Sequence, residues 1–161
     1  MHRVAQLIGH LTARVGPDDE ALVRRMLPES AWGLFASMPV ADRRHALDVA
    51  ARLRRAGLED RDLLAAALLH DVAKGDRMRL WHRVGGVLLE ALAPGLLRRL
   101  ASSDASSWRY PFHLYLTHDR LSAVAARRAG CTERCGRFIA GDVEPDDARL
   151  AAALRRADEA S

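Results

Sequence analysis

The sequence predicts an all-α fold, and three observations carry that prediction. Apolar residues recur three and four apart along most of the 161-residue chain, the period of helices packed on one side. The breaks between these runs coincide with Gly16-Pro17, Pro28, Pro39, Gly57, Pro94 and Gly130, residues that end or start helices. No strand-length alternation of β-branched residues flanked by hairpin turns appears.

Taken in order, helical spacing covers residues 2–15 and 18–27, with Pro17 or Asp18 suited to open the second. Trp32, Phe35 and Met38 in "AWGLFASMP" read either as the core of an N-terminal helical pair or as a homo-oligomer patch. A third helix begins after Pro39 and ends at Gly57; a fourth runs from about Asp60 to Ala73, with Gly75 as its stop. Further helices are expected over 78–93, 95–102, 117–129, 132–140 and 146–158, separated by Pro94, "SSDASS", Gly130 and "GDVEPDD". Repeats, low-complexity tracts and linkers are absent, so residues 1–161 read as a single-domain helical bundle.

Composition bounds the function classes. A chain 49% hydrophobic and 29% charged is that of a soluble globular protein with a real core. No run approaches the roughly 18–20 apolar residues of a membrane span. The opening "MHRVAQLIGHLTARVG" lacks a small-residue cleavage site, and the expectation is a cytoplasmic protein that engages no membrane. Net charge is +4 with pI near 9.8, yet the basic residues fall as scattered doublets such as Arg24-Arg25 and Arg98-Arg99. They lack the stripe and interleaved aromatics of a nucleic-acid face. Cys131 and Cys135, spaced C-x3-C with no second pair, read as packing thiols.

The chemistry concentrates where apolar stripes end in ionisable residues. On the third helix Leu53 and Val49 lead to His45; on the fourth, Leu63 and Ala67 lead to His70 while Leu64 and Leu68 lead to Asp71; on the last, Leu150 and Leu154 lead to Asp158. Buried His and Asp are costly alone, and a divalent ion held by His45, His70, Asp71 and Asp158 removes that cost for all four together. Mixed imidazole and carboxylate ligands suit Mn²⁺, Fe²⁺, Co²⁺, Ni²⁺ or Zn²⁺. Four protein ligands on a six-coordinate ion leave two open positions, and water bound there becomes a nucleophile near neutral pH. Lys74, the only lysine in the chain, sits one turn beyond His70 and Asp71 and hints at a local need for a compact point charge.

The segments "RRHALDVAARL", "LLAAALLHDVAKG" and "ALRRADEAS" resemble the His, His-Asp and final Asp elements of the HD-domain superfamily of metal-dependent phosphohydrolases. The resemblance runs from about residue 39 to 158, and "LLHDVAKG" is its most specific part; the stretches from "LWHRVGG" to "AARRAG" resemble small bacterial members. It implies the all-helical HD fold and metal ligands at His45, His70, Asp71 and Asp158. On such a site Asp71 reads as a ligand and catalytic acceptor that orients the attacking water, and Lys74 as the charge that neutralises a bound phosphate. Dinuclear members carry later histidines. His118 stands where the first is expected, as a second-metal or substrate ligand, whereas "FIAGD" replaces the last and leaves Asp142 as the only substitute oxygen. One metal per chain is therefore expected.

Arg83 in "WHRVG" is a candidate phosphate ligand beside Trp81, and His113 in "PFHLYL" reads as packing. The leading expectation is a metal-dependent phosphohydrolase acting on a small phosphorylated compound, a nucleotide mono- or diester. The alternative is a non-catalytic HD domain that binds metal or nucleotide as a sensory or interaction module.

Overall fold

The computed structural model describes residues 14–75, 78 and 80–161. The helix expected over 2–15 lies almost wholly outside them, as does the side chain of Arg83. Among the described residues all regular structure is helical: α1 (Pro17–Met26), α2 (Glu29–Ser37), α3 (Val40–Arg55), α4 (Arg61–Leu69), α5 (Leu80–Leu92), α6 (Pro94–Leu100), α7 (Tyr110–Arg128), α8 (Glu133–Ala140), a 3-10 turn (Pro145–Asp147) and α9 (Ala148–Glu159). No described helix is long and apolar enough to cross a membrane.

Local chemistry explains most boundaries. Pro17 opens α1, whose first turn carries Asp18, Asp19 and Glu20 and whose last carries Arg24 and Arg25, each sign facing the helix pole that favours it. Gly57 closes α3 and Gly141 closes α8 with φ of +74° and +73°, values that favour glycine. Two boundaries depart from the sequence expectation. The seventh helix begins at Tyr110 rather than 117, because Pro111 lies in its first turn, where a missing N–H is tolerated, and Phe112 and Leu114 extend the buried face. The fourth ends at Leu69 rather than Ala73: residues 70–75 form tight turns, with Val72 N–H on Leu69 O and Lys74 N–H on Asp71 O.

The α2 stretch resolves the earlier alternative. Phe35 and Met38 are buried, and Trp32 packs against the core under the Arg24 guanidinium, 4.0 Å from its ring centre. Those residues are core, not an oligomer patch. The free thiols likewise pack as expected, with Cys135 buried and Cys131 half-buried.

At the centre lies α4. Every residue from Leu63 to Leu69 is buried, the signature of a helix covered on all sides, and α4 touches α1, α2, α3, α7, α8 and α9. Its four leucines each stabilise the fold by roughly 1.5–3 kcal/mol on burial.

A single arginine ties α4 to α9. Asp60 caps α4 by accepting from Leu63 N–H at 3.0 Å. Arg134 of α8 donates to both Asp60 oxygens at 2.9 and 2.7 Å. Its remaining donors grip Asp147, the residue ahead of α9, at 2.9 and 2.7 Å. The N-termini of α4 and α9 are thereby level and the helices run side by side. Burial raises the Asp60 carboxyl pKa, but Leu63 N–H and Arg134 outweigh it and hold the group below its ordinary 3.8. A depressed carboxyl contributes stability that is complete above its unfolded value and lost as pH falls through the folded one. Asp60→Ala is expected to lose about 1–2 kcal/mol in urea denaturation near neutral pH, with the gap from wild type narrowing below about pH 4.

Candidate metal centre

Equal helical rise from a common base brings His70 and Asp158 to the same height. His70 lies ten residues beyond Asp60 and Asp158 eleven beyond Asp147, roughly 15–17 Å along each axis. Asp158 Oδ1 is 3.3 Å from His70 Nε2 and accepts from His45 Nε2 at 2.8 Å. The potential ligand atoms of His45, His70 and Asp158 all lie within 4.8 Å of one another. Their stripes face the core: Val49, Leu53, Leu63, Leu64, Ala67, Leu68 and Leu154 are buried, and Leu150 is half-buried against them.

The tight turn after α4 sets the second carboxylate against the same imidazole. Asp71, 3% exposed, places Oδ1 3.6 Å from His70 Nε2 and 3.8 Å from His118 Nε2. Its Oδ2 accepts from Lys74 Nζ at 2.6 Å. Both histidines are oriented alike. His70 Nδ1–H donates to Ala67 O at 2.9 Å and His118 Nδ1–H to Tyr115 O at 3.1 Å, each a carbonyl three residues back. That bond fixes the tautomer, so each neutral ring presents a bare Nε2.

These atoms are in conflict without a cation. His70 Nε2 and Asp71 Oδ1 are buried and lack hydrogen-bond partners, although Asp158 Oδ1 stands nearby. A lone pair facing two carboxylates is repulsive, and a buried unpaired acceptor costs roughly 1–3 kcal/mol. Either a proton on Nε2 or a metal ion relieves it.

The titration behaviour follows. Burial alone lowers the His70 pKa; Asp71 and Asp158 more than reverse this and hold it above 6.5. Burial raises the Asp71 carboxyl, but His70, Lys74 and His118 hold it well below the usual carboxylate range. Asp158, 44% exposed at its side chain, is raised by burial and brought far below that range by the His45 hydrogen bond and the adjacent His70 ring. His118 goes the other way: burial and then Lys74 depress it, so its ring is neutral near pH 7.

Among the described residues the potential ligand group is His45, His70 and Asp158 alone; the expected ligand Asp71 neighbours His70 and His118 without joining it, and Asp142, exposed just after α8, lies apart as well. His113 stacks on Tyr110, ring centres 5.8 Å apart, as a packing residue. The arginines are dispersed along the helices in ion pairs such as Arg24–Glu29, Arg44–Asp48 and Arg137–Glu144, the arrangement of solvated faces.

One positioning group gave no sequence signal. Ser122, fully buried on α7, accepts the Ala73 N–H at 3.0 Å and pins the turn bearing Asp71 and Lys74 to the helix that bears His118. No protein-family model, curated protein or solved structure matches the chain. Ser122→Ala leaves the Ala73 N–H unsatisfied, and chemical denaturation is expected to register a loss of about 1–3 kcal/mol.

Proposed function

We propose that the chain is a metal-dependent phosphohydrolase acting on a small phosphorylated compound. The HD-domain resemblance suggests a nucleotide monoester or diester as the substrate class. The observation that supports a metal is the pair of buried, partnerless atoms, His70 Nε2 and Asp71 Oδ1, both turned toward further ligand-type atoms. His45, His70, Asp71 and Asp158 would hold the ion, and Asp142's position outside the cluster favours one ion per chain. A divalent transition ion supplies Lewis acidity toward a phosphoryl oxygen and lowers the pKa of a bound water.

The chain's own groups supply the rest. Asp71 Oδ1 is an anionic acceptor that orients an attacking water and takes its hydrogen bond. Lys74 keeps Asp71 ionised and contributes positive charge beside a phosphate. His118, neutral and facing the same carboxylate, binds substrate or a leaving-group oxygen. The second reading, a non-catalytic HD module, is favoured by one observation: Lys74 Nζ is engaged by Asp71 at 2.6 Å rather than standing free for phosphate.

Elemental mass spectrometry on protein purified without a chelating tag decides the metal. About one transition metal per chain is expected, with affinity down more than about 100-fold in His70→Ala/Asp71→Ala. A wild type that holds none when Mn²⁺, Co²⁺ or Ni²⁺ is supplied overturns the proposal. Metal-loaded protein that hydrolyses no phosphomonoester or phosphodiester supports the module instead.

Acidity separates the two ways of relieving the conflict at His70. In chelated protein the raised His70 pKa contributes stability that is present below about pH 6.5 and lost as pH rises through the folded value. Metal needs the same lone pair unprotonated. Thermal unfolding with chelator should therefore show Tm falling as pH rises through neutrality, while the increment produced by Mn²⁺ grows.

A further inference from the structure

Helix α5 is built inside out. Its packing face carries glycine: a Cβ added to Gly86 would lie 2.5 Å from the Tyr115 ring of α7, and one on Gly85 would touch Phe112. Its outward face carries Trp81, Val84, Val87, Leu88 and Leu92, from 46% to 82% exposed, and Leu96 of α6 extends it. This orientation is pinned. The close approach at Gly86 admits no bulkier residue, and Glu90, the only charged residue between Val84 and Leu97, accepts from Tyr115 Oη at 2.6 Å. Beneath Trp81 the buried rings of His82 and Phe112 pack in turn and reach the exposed Trp108.

We infer that this face is the contact between two copies of the chain. Taking roughly 150–250 Å² for a whole large apolar side chain, the six exposed residues present on the order of 600 Å², at or above the largest apolar patch of a typical monomer, ~300–600 Å². Pairing two such faces removes about 1,200 Å² from water, the lower bound of a specific interface. Trp108, 68% exposed, adds to it. A second copy fits because the stripe is self-complementary. Residues 81, 84, 88 and 92 are spaced three, four and four apart, an eleven-residue repeat that keeps one stripe along a helix. A two-fold axis across the middle of α5 sets Trp81 against Leu92 and Val84 against Leu88, and none of these four residues is ionisable.

The inference is independent of the metal reading, and so is its test. Sedimentation equilibrium on the full chain, with chelator present, compares wild type with Leu88→Glu/Leu92→Glu. The expected result is a wild-type mass of twice the 17.8 kDa chain and a double variant with unchanged helical circular dichroism and a dissociation constant at least tenfold weaker. Should the double variant not fold, Trp81→Lys replaces it. A wild type of one-chain mass throughout the micromolar range overturns the inference, and binding of that monomer to phosphatidylglycerol vesicles would assign the face to an anionic membrane surface. A dimer that survives the substitutions unweakened also overturns it, because its interface then lies elsewhere.

Discussion

Two helices must stand at one height for the ligand cluster to exist, and the Arg134 guanidinium holds them there. Its fork takes the cap of α4 on one side and the residue ahead of α9 on the other. Planar, bidentate pairing fixes direction as well as distance, which an ammonium would not do. From that base, ordinary helical rise brings His70 and Asp158 together at the far ends, and α3, packed on both, adds His45. His45 and Asp158 are thus placed by helical regularity, His70 by the end of α4, and Asp71 by the turn that Ser122 pins.

The cluster is electrostatically unfinished. Bonds to carbonyls orient His70 and His118 with Nδ1–H directed away, which turns Nε2 of each toward Asp71. Apolar cores ordinarily satisfy their polar atoms, so two orphans side by side are a local electrostatic cost. The neighbouring pKa shifts follow from burial and charged neighbours together: burial lowers both imidazoles, Asp71 and Asp158 more than reverse this at His70, and Lys74 adds to it at His118.

How much of this was legible depends on whether the cause was periodic. His45, His70, Asp71 and Asp158 could be read because each ends an apolar stripe, and period alone reveals a stripe. The end of α4 could not, since residues 70–74 include no strong helix breaker and the turn depends on Ser122, 49 residues away from its partner in sequence. A hydroxyl in mid-helix carries no spacing signal. Arg134 was one arginine among many, with partners 74 and 13 residues off. On α5 the apolar pattern was visible but its direction was not: the sequence shows that one face is apolar, while only the Gly86–Tyr115 approach shows that this face looks outward.

The His45–Asp158 contact spans 113 residues, so releasing it frees one end of the described chain from its third helix. A proton or cation that holds these helix ends only in the folded arrangement stabilises that arrangement by mass action. Occupancy of the cluster is then a brake on opening.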